Sequence, residues 1–305
     1  MRSKGFSIGI IFLVLMVCTS CTKDEALLTP DGESSALKKA SITLNVPVDY
    51  STIQAAVDAV GNGGIIMVSS GTYKENVNIE TIDDLTLIGD NSIINQIEIG
   101  PAINLNSCNN FKVSGFELRG EDKTFPAIGL CVHNSSGEIS ECVINGFWHG
   151  IYADNSPGEQ SELLVTECDI QEFETYGVVT WKGVHSRINK NSFLKSVVTP
   201  GIGTACVSVW GGTPKIKKNN FNYPGNGITL TDNAYNIDGQ LISVNAVDSE
   251  IKSNDFHNCF IGINISTLFG GEVLNTYIIN NVFFDVNTEY MISVDENEVH
   301  IRPRI

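Results

Sequence analysis

Positive charge is scarce in this sequence. The 305 residues contain 19 Lys and Arg against 35 Asp and Glu, which gives a net charge of −16 at pH 7. Nucleic acid and anionic membrane surfaces are therefore unfavourable partners, and we expect no nucleic-acid binding. A polyanionic glycan would need a local cluster of cations or bridging Ca²⁺ on the protein.

The sequence also lacks an apolar run that could cross a membrane. The run Phe6–Val17 is too short for a spanning helix. It follows Arg2 and Lys4 and precedes Cys18-Thr19-Ser20-Cys21. This arrangement predicts a signal peptide over residues 1–20.

The end of that segment resembles a bacterial lipoprotein signal, with Cys21 as the residue that carries the lipid. Cys21-Thr22-Lys23-Asp24-Glu25 is similar to the export tag of Bacteroidetes surface lipoproteins. The resemblance implies an acyl anchor in the outer membrane, exposure at the cell surface and membrane contact through the lipid alone. Residues 21–41 predict a flexible tether, and residues 42–305 a single folded domain.

A repeat runs through the folded part of the chain: an aliphatic residue, then Asn or Cys three positions later in most copies, then a large apolar residue two positions after that. The first column is Val113, Ile139, Val165, Ile188, Ile216, Ile251, Ile278; the second is Phe116, Cys142, Cys168, Asn191, Asn219, Asn254, Asn281; the third is Leu118, Ile144, Ile170, Phe193, Phe221, Phe256, Phe283. A period of this length without helical spacing is typical of a solenoid.

A second ladder follows the same register: a small residue, an inward aliphatic, an outward residue and another inward one. Its copies are Ala102–Leu105, Ala127–Leu130, Gly150–Ala153, Gly177–Thr180, Cys206–Val209, Gly227–Leu230 and Gly262–Ile265. The sequence therefore predicts an all-β, single-stranded right-handed parallel β-helix. We expect the Asn column to hydrogen bond along the stack and the four Phe to form a core strip.

An N-terminal cap precedes the coils. Ser51-Thr52-Ile53-Gln54 has capping-box spacing, and apolar residues then recur at helical intervals until Gly61. This pattern predicts a helix over about residues 51–60 that covers the open end of the solenoid. No equivalent helix is predicted after Met291.

Cysteine spacing gives no metal site, since no CxxC pair or Cys/His zinc pattern occurs. Cys142 and Cys168 are stacked neighbours in the second column. The pattern leaves open a disulfide between them or two buried thiols.

The segments Tyr50–Val60, Gly71–Val77 and Leu85–Gly89 resemble the opening of pectin methylesterases and related pectin-lyase-like β-helix proteins. The resemblance covers roughly residues 43–95 and implies architecture more than activity. The QDT, DF(I/V)FG and GRPW segments of pectin methylesterases are absent, so that activity is not expected. The Asp pair of polygalacturonases has no counterpart in the coils, where Trp148-His149-Gly150 and Arg187-Ile188-Asn189 are only faintly similar to that family's motifs.

The ladder also indicates which side chains share an outer face. Trp181 and Trp210 are expected to stack outward on adjacent coils, with Asp154 before them in the same column. Two exposed Trp without a partner are unfavourable, and sugar rings pack well on indole. The predicted glycan platform is Tyr152, Asn155, Trp181, Trp210 and Asp232; the alternative is that loops cover both Trp and form a side core.

Three functions stay open from the sequence. The first is a polysaccharide lyase or hydrolase acting on uronate-containing glycans, with Lys182 or His185 as proton acceptor and Asp154 or Asp232 as acidic partner. A lyase is favoured over a hydrolase. The second is a noncatalytic glycan-binding or adhesive solenoid, and the third a structural envelope protein.

No cofactor is predicted, although the oxygen-rich loop with Asp232 and Asp238 leaves calcium open. A single solenoid predicts a monomer.

Overall fold

The computed structural model describes residues 41–120, 126–181, 183–197, 204–231, 233–235, 241–243, 245–267, 272–294 and 298–303. These residues form an all-β parallel solenoid of about nine turns with one short helix. The fold class is thereby confirmed, whereas its right-handed sense stays a prediction.

The described elements comprise one helix and 31 strands. Helix α1 spans Ile53–Ala59. The strands are β1 Thr43–Val46, β2 Ile65–Val68, β3 Gly71–Lys74, β4 Val77–Glu80, β5 Thr86–Asn95, β6 Pro101–Asn106, β7 Asn109–Arg119, β8 Ile128–His133, β9 Ser136–Ser140, β10 Val143–Asn145, β11 His149–Asp154, β12 Ser161–Thr166, β13 Asp169–Gln171, β14 Tyr176–Trp181, β15 Val184–Asn189, β16 Ser192–Leu194, β17 Ala205–Trp210, β18 Lys215–Lys217, β19 Asn220–Asn222, β20 Asn226–Thr231, β21 Asn233–Tyr235, β22 Leu241–Ser243, β23 Ala246–Val247, β24 Glu250–Lys252, β25 Asp255–His257, β26 Ile261–Ser266, β27 Val273–Leu274, β28 Thr276–Ile279, β29 Val282–Phe284, β30 Thr288–Ser293 and β31 Val299–Arg302.

The coils build three parallel ladders. A nine-stranded sheet runs β4-β6-β8-β11-β14-β17-β20-β26-β30. The other two ladders join into one 18-stranded sheet because the long strands β5 and β7 contribute to both. The first ladder runs β1-β2-β5-β7-β9-β12-β15-β18-β24-β28-β31, and the second runs β3-β5-β7-β10-β13-β16-β19-β25-β29. Each coil thus passes from the nine-stranded sheet to the first ladder, the second ladder and back.

The predicted interior columns are confirmed. The Phe column stacks ring on ring, with centroids 5.0 Å apart for Phe193 and Phe221 and 4.9 Å apart for Phe221 and Phe256. In the Asn column, Asn219 Nδ2 donates to Asn254 Oδ1 at 3.0 Å and to the Ile188 carbonyl at 2.9 Å. Its Oδ1 accepts from the backbone N–H and the side chain of Asn191. A buried amide whose bonds repeat from coil to coil fixes the turn between the two ladders.

That turn contains a residue in the left-handed backbone region on most coils, which the column pattern did not predict. Examples are Glu167 at φ 56°, Lys190 at φ 59° and Lys218 at φ 57°. The neighbouring Asn column bonds to the turn backbone and so holds this otherwise unfavourable conformation in place.

One coil of the second predicted ladder is shifted by two residues. Ile103 and Ile151 both pair with Leu130, where the sequence alignment placed Ile128. The physical reason is Gly129. A Cβ at this position would lie 2.5 Å from the Gly150 carbonyl oxygen, so the small residue of this coil is Gly129 rather than Ala127.

The N-terminal helix is confirmed, with a different cap from the one predicted. Thr52, not Ser51, is the N-cap, and its side-chain oxygen accepts from the Ala55 N–H at 3.1 Å. The Glu75 carboxylate accepts from the Ile53 and Gln54 N–H groups at 3.0 and 2.9 Å. The carboxylate accepts hydrogen bonds from N–H groups that have no partner within the helix. Its negative charge also interacts favourably with the helix dipole.

Cys142 and Cys168 are both free thiols and buried, so the structure favours the second of the two open alternatives. Within the described ranges, no helix is long and apolar enough to span a membrane. The predicted signal peptide, the tether and Cys21 lie outside the described residues.

Candidate functional site

The outer face of the nine-stranded sheet brings two neighbouring columns of side chains together. The column at the strand ends reads Asn106, His133, Asp154, Trp181, Trp210 and Thr231 over successive coils. The middle column contains Cys131, Tyr152, Val179 and Ser208. The predicted juxtaposition of Asp154, Trp181 and Trp210 is therefore present, and we call these three residues with Tyr152 the strand-end strip.

The two tryptophans lie face to face. Their ring centroids are 4.5 Å apart with planes 17° apart, and both side chains are half-buried. Trp210 Nε1 donates to Ser208 Oγ at 2.7 Å. Trp181 Nε1 is buried without an acceptor in the described part of the chain. Because one face of each indole covers the other, the pair offers a ligand its edges and outer faces rather than two open faces.

Asp154 is held by two neighbours on the same sheet. His133 Nδ1 lies 2.6 Å from Asp154 Oδ1, and the Tyr152 hydroxyl donates to Asp154 Oδ2 at 3.3 Å. Asn134 Oδ1 accepts from the Ser156 N–H at 2.6 Å, which orients its amide nitrogen toward His133 Nε2 at 3.0 Å. The His133 ring is thus held between the Asn134 amide and the Asp154 carboxylate, with Nδ1 oriented toward the carboxylate.

Sequence reasoning missed His133 as the partner of Asp154. The cause is the two-residue shift in the coil Ala127–Leu130, which moved His133 out of the Asp154 column. A signal was available: aligning Gly129 with Gly150 places His133 directly before Asp154.

Aromatic rings continue the site toward the start of the strands. His149 stacks with Tyr152 and Tyr176, at centroid distances of 5.9 and 5.4 Å. Burial lowers the pKa of His149 to about 4, so its ring is neutral at physiological pH. Burial, with a smaller contribution from the Asp154 charge, raises the pKa of the Tyr152 phenol. Tyr152 is therefore a hydrogen-bond donor and not a base.

The face is less open than the alternation of residues predicts. Val179 and Ser208 belong to the outward middle column, yet they are 0% and 1% exposed. Asn155, a predicted sugar contact, is also buried. The residues of the strand-end strip are thus half-buried, and they lie beside the buried side chains of Val179 and Ser208. This arrangement agrees in part with the predicted alternative, in which loops cover the tryptophans and form a side core.

His185, another predicted catalytic residue, does not join this group. His185 lies on β15 of the first ladder, where its Nδ1 is 2.6 Å from Thr213 Oγ1. In the described part of the chain, no hydrogen bond or ion pair connects His185 to Asp154. Lys182, Asp232 and Asp238 lie outside the described residues. No group of three His, Cys, Asp or Glu side chains within the described ranges is arranged to bind a metal ion.

Comparisons with known proteins give similarity in fold. No protein-family model matches the sequence, and no curated protein matches it. Among solved structures, ORF18 of Geobacillus virus E2 is similar with a TM-score of 0.53 and 15% identity, over 82% of this chain and 62% of that one. The chain therefore spans about 62% of the viral protein's length.

Two further structures are covered more completely. The alginate lyase from Paenibacillus sp. str. FPU-7 has a TM-score of 0.52 and 12% identity, over 85% of this chain and 99% of that one. Escherichia coli ybhc has a TM-score of 0.51 and 14% identity, over 87% and 90%. At these identities the similarity shows a shared architecture, the parallel β-helix.

Proposed function

We propose that this protein binds a polysaccharide along the strand-end strip of Tyr152, Asp154, Trp181 and Trp210. The observation that supports it best is the single column in which an oriented carboxylate directly precedes two stacked indoles. A carboxylate accepts hydrogen bonds from sugar hydroxyls, and indole edges and outer faces pack on the apolar faces of sugar rings.

The fold supports the same class of ligand. A protein named as an alginate lyase has this architecture along nearly its whole length, and parallel β-helices present long, straight faces to extended chains. A uronate-containing glycan is the substrate class that we propose.

Binding without cleavage is the version that the geometry supports best. Asp154 is engaged by His133 and Tyr152, His133 Nε2 lies 3.0 Å from the Asn134 amide nitrogen, and the raised pKa of Tyr152 keeps its phenol neutral. A lyase needs a free base beside the acidic carbon of a uronate. His185 lies on a different sheet, so the cleavage alternative depends on Lys182. The cleavage alternative also includes Ca²⁺ bound by Asp232 and Asp238. The comparison of cleavage with and without Ca²⁺ tests this site.

The experiment uses residues 22–305, which include the compact unit Ser41–Ile305. Retardation in gels containing acidic or neutral polysaccharides measures binding. Ultraviolet absorbance of unsaturated uronates and release of reducing ends, with and without Ca²⁺, measure cleavage. We expect retardation without product. Unsaturated product that Lys182→Gln abolishes would establish the lyase alternative instead.

A double variant, Trp181→Ala with Trp210→Ala, localises the binding. We expect it to lose retardation, whereas Phe284→Ala, which removes an exposed aromatic side chain from the last coils, retains it. Equal binding by both variants would exclude the strand-end strip as the site, whereas no retardation of the unaltered protein would favour a structural envelope protein.

We further propose, from the N-terminal sequence, that Cys21 is lipidated and holds the protein at the bacterial outer membrane, at the cell surface and as a monomer. Cys21→Ala should move the full-length protein from the membrane fraction to the soluble fraction. Protease treatment of intact cells tests surface exposure, and light scattering tests the monomer.

A further inference from the structure

The outer face of the first ladder carries a strip of cations on three consecutive coils, β15, β18 and β24. Its members are Arg187, Lys190, Lys215, Lys217, Lys218 and Lys252. We call this set the basic strip. Arg187 pairs in register with Lys215, and Lys217 with Lys252, so the cations follow one another along the solenoid axis.

This concentration stands out because the chain is acidic. Leaving out residues 1–40, the sequence contains 14 Lys and Arg against 31 Asp and Glu. Six of those 14 cations lie on three neighbouring coils of one face. A local positive field in an otherwise negative protein is the feature that an anionic ligand requires.

Carboxylates within the strip neutralise only part of its charge. Arg187 pairs with Glu162 at 2.8 Å, Lys190 with Glu167 at 2.6 Å, and Lys217 with Glu250 at 2.6 Å. Lys215 donates to the backbone carbonyl of Asp248 at 2.7 Å, and Lys218 is exposed on its turn. Within the strip six cations thus face three carboxylates, while Asp248 and Asp255 lie at its borders.

Glu250 is a carboxylate of the protein itself that lies among the lysines of the basic strip. The hydrogen bond from Lys217, followed by the charges of Lys217, Lys252 and Lys215, lowers the pKa of Glu250. The lysines are thus placed so that an ionised carboxylate is stable among them. Glu250 occupies the position that a ligand carboxylate would take.

A cleft opens beside the strip on the preceding coils. Its volume is about 420 Å³, and its lining includes Lys112, Glu138, Glu162, Leu164 and Arg187. This volume falls within the range of about 300–1,000 Å³ that is usual for small-ligand sites. Arg187 belongs to both the cleft and the basic strip, so the two form one continuous surface.

We propose that this surface is a second binding site, specific for acidic polysaccharides, on a different face from the strand-end strip. The interleaved cations and carboxylates fit a chain that carries spaced carboxyl or sulfate groups together with hydroxyls. Lysines would hold the anionic groups, and Glu162 and Glu167 would accept hydrogen bonds from the hydroxyls. Duplex nucleic acid, with one charge per about 1.7 Å, would instead force phosphates against those carboxylates.

The test compares charge-matched variants for binding to polygalacturonate and to a neutral polysaccharide. Lys218→Gln with Lys252→Gln removes two cations of the strip, and Lys74→Gln with Arg119→Gln removes two cations elsewhere. We expect the strip variant to lose about fivefold or more in affinity for polygalacturonate at low salt, and the control about twofold or less. High salt should remove the difference, and binding to the neutral polysaccharide should not change.

A gain-of-function variant sharpens the test. Glu250→Gln removes the competing internal carboxylate and should raise affinity for polygalacturonate about threefold, without effect on neutral chains. Equal affinities for the strip variant and its control, or no gain with Glu250→Gln, would overturn the proposal. So would binding of DNA or of phosphatidylglycerol vesicles that equals polygalacturonate binding and falls in the strip variant.

The two proposed sites can be confirmed or excluded independently of each other. If the Trp181→Ala with Trp210→Ala variant loses all binding and the strip variant loses none, the strand-end strip is correct and the basic strip is not. The reverse pattern supports the basic strip alone.

Discussion

The interior of the solenoid and the outer face of its nine-stranded sheet are built from the same coils but follow different rules. Inside, Asn191, Asn219 and Asn254 repeat one set of hydrogen bonds from coil to coil, and the Phe column repeats one ring stack. Outside, the strand-end column changes between most coils, from His133 to Asp154 to Trp181, and repeats at Trp181 and Trp210. The stacking of coils requires the repeated interior residues, but it does not require the varying residues of the outer column.

The difference separates residues that build the fold from residues that are available for binding. A side chain that repeats along the axis satisfies its neighbours above and below, so its identity is explained by stability. A side chain that departs from its column, like Asp154 between His133 and Trp181, needs another explanation. Changes inside should therefore reduce the free energy of unfolding, and changes in the outer columns should reduce binding.

The largest expected effect on stability comes from the Phe column. Phe221→Ala removes a fully buried ring that stacks between Phe193 and Phe256. The loss of buried area and the cavity should cost about 3–5 kcal/mol in the free energy of unfolding. Phe260→Ala, which removes a ring that is 57% exposed, should cost far less in the same denaturant titration. A similar loss for both would mean that the stacked interior is not where stability resides.

Adjacent residues allow a matched test of the Asn column. Asn219→Ala deprives the Asn191 N–H and the Ile188 carbonyl of their partner, both in the buried turn. Leaving such groups unpaired should cost about 2–4 kcal/mol. Asn220→Ala alters the exposed next residue and should change the midpoint of thermal unfolding little. Equal shifts for the two variants would contradict a structural role for the column.

Acid should destabilise the protein through His149, which belongs to the outer face but behaves like a core residue. Its folded pKa of about 4 lies below the ordinary value near 6.5. Stability is therefore unaffected above pH 6.5 and falls as pH drops toward 4, because only the unfolded chain takes up the proton. The loss should reach about 2 kcal/mol at pH 5. His149→Phe, which retains a ring between Tyr152 and Tyr176, should flatten this part of the stability profile; an unchanged slope would assign it to other groups.

The columns that stack inside were predictable from the sequence, and the columns outside were less so. Every pairing of the first and third interior columns follows the predicted register, because one misplaced residue there would bury a polar group or leave a cavity. The outer face gives no such constraint. A shift of two residues also keeps every inward side chain inward, so the shift at Gly129 went undetected, and with it the contact between His133 and Asp154. Burial of Val179 and Ser208 likewise depends on what covers the sheet, which strand alternation does not encode.

The smallest effect on stability, paired with a large effect on binding, is expected at Trp210. The next coil has Thr231 at this column position, so Trp210→Thr introduces a residue that the column already accommodates and that favours strands. Loss of the half-buried indole and of its stack on Trp181 should cost about 1 kcal/mol. Loss of the near-ultraviolet circular dichroism of the coupled indoles would show that the pair is broken. Affinity for the polysaccharide should nevertheless fall by about tenfold, the loss of about 1.4 kcal/mol that we expect when a sugar ring loses its aromatic partner. A variant that unfolds instead, or that binds unchanged, would place Trp210 with the interior columns, and the distinction between the two regions would not hold at this coil.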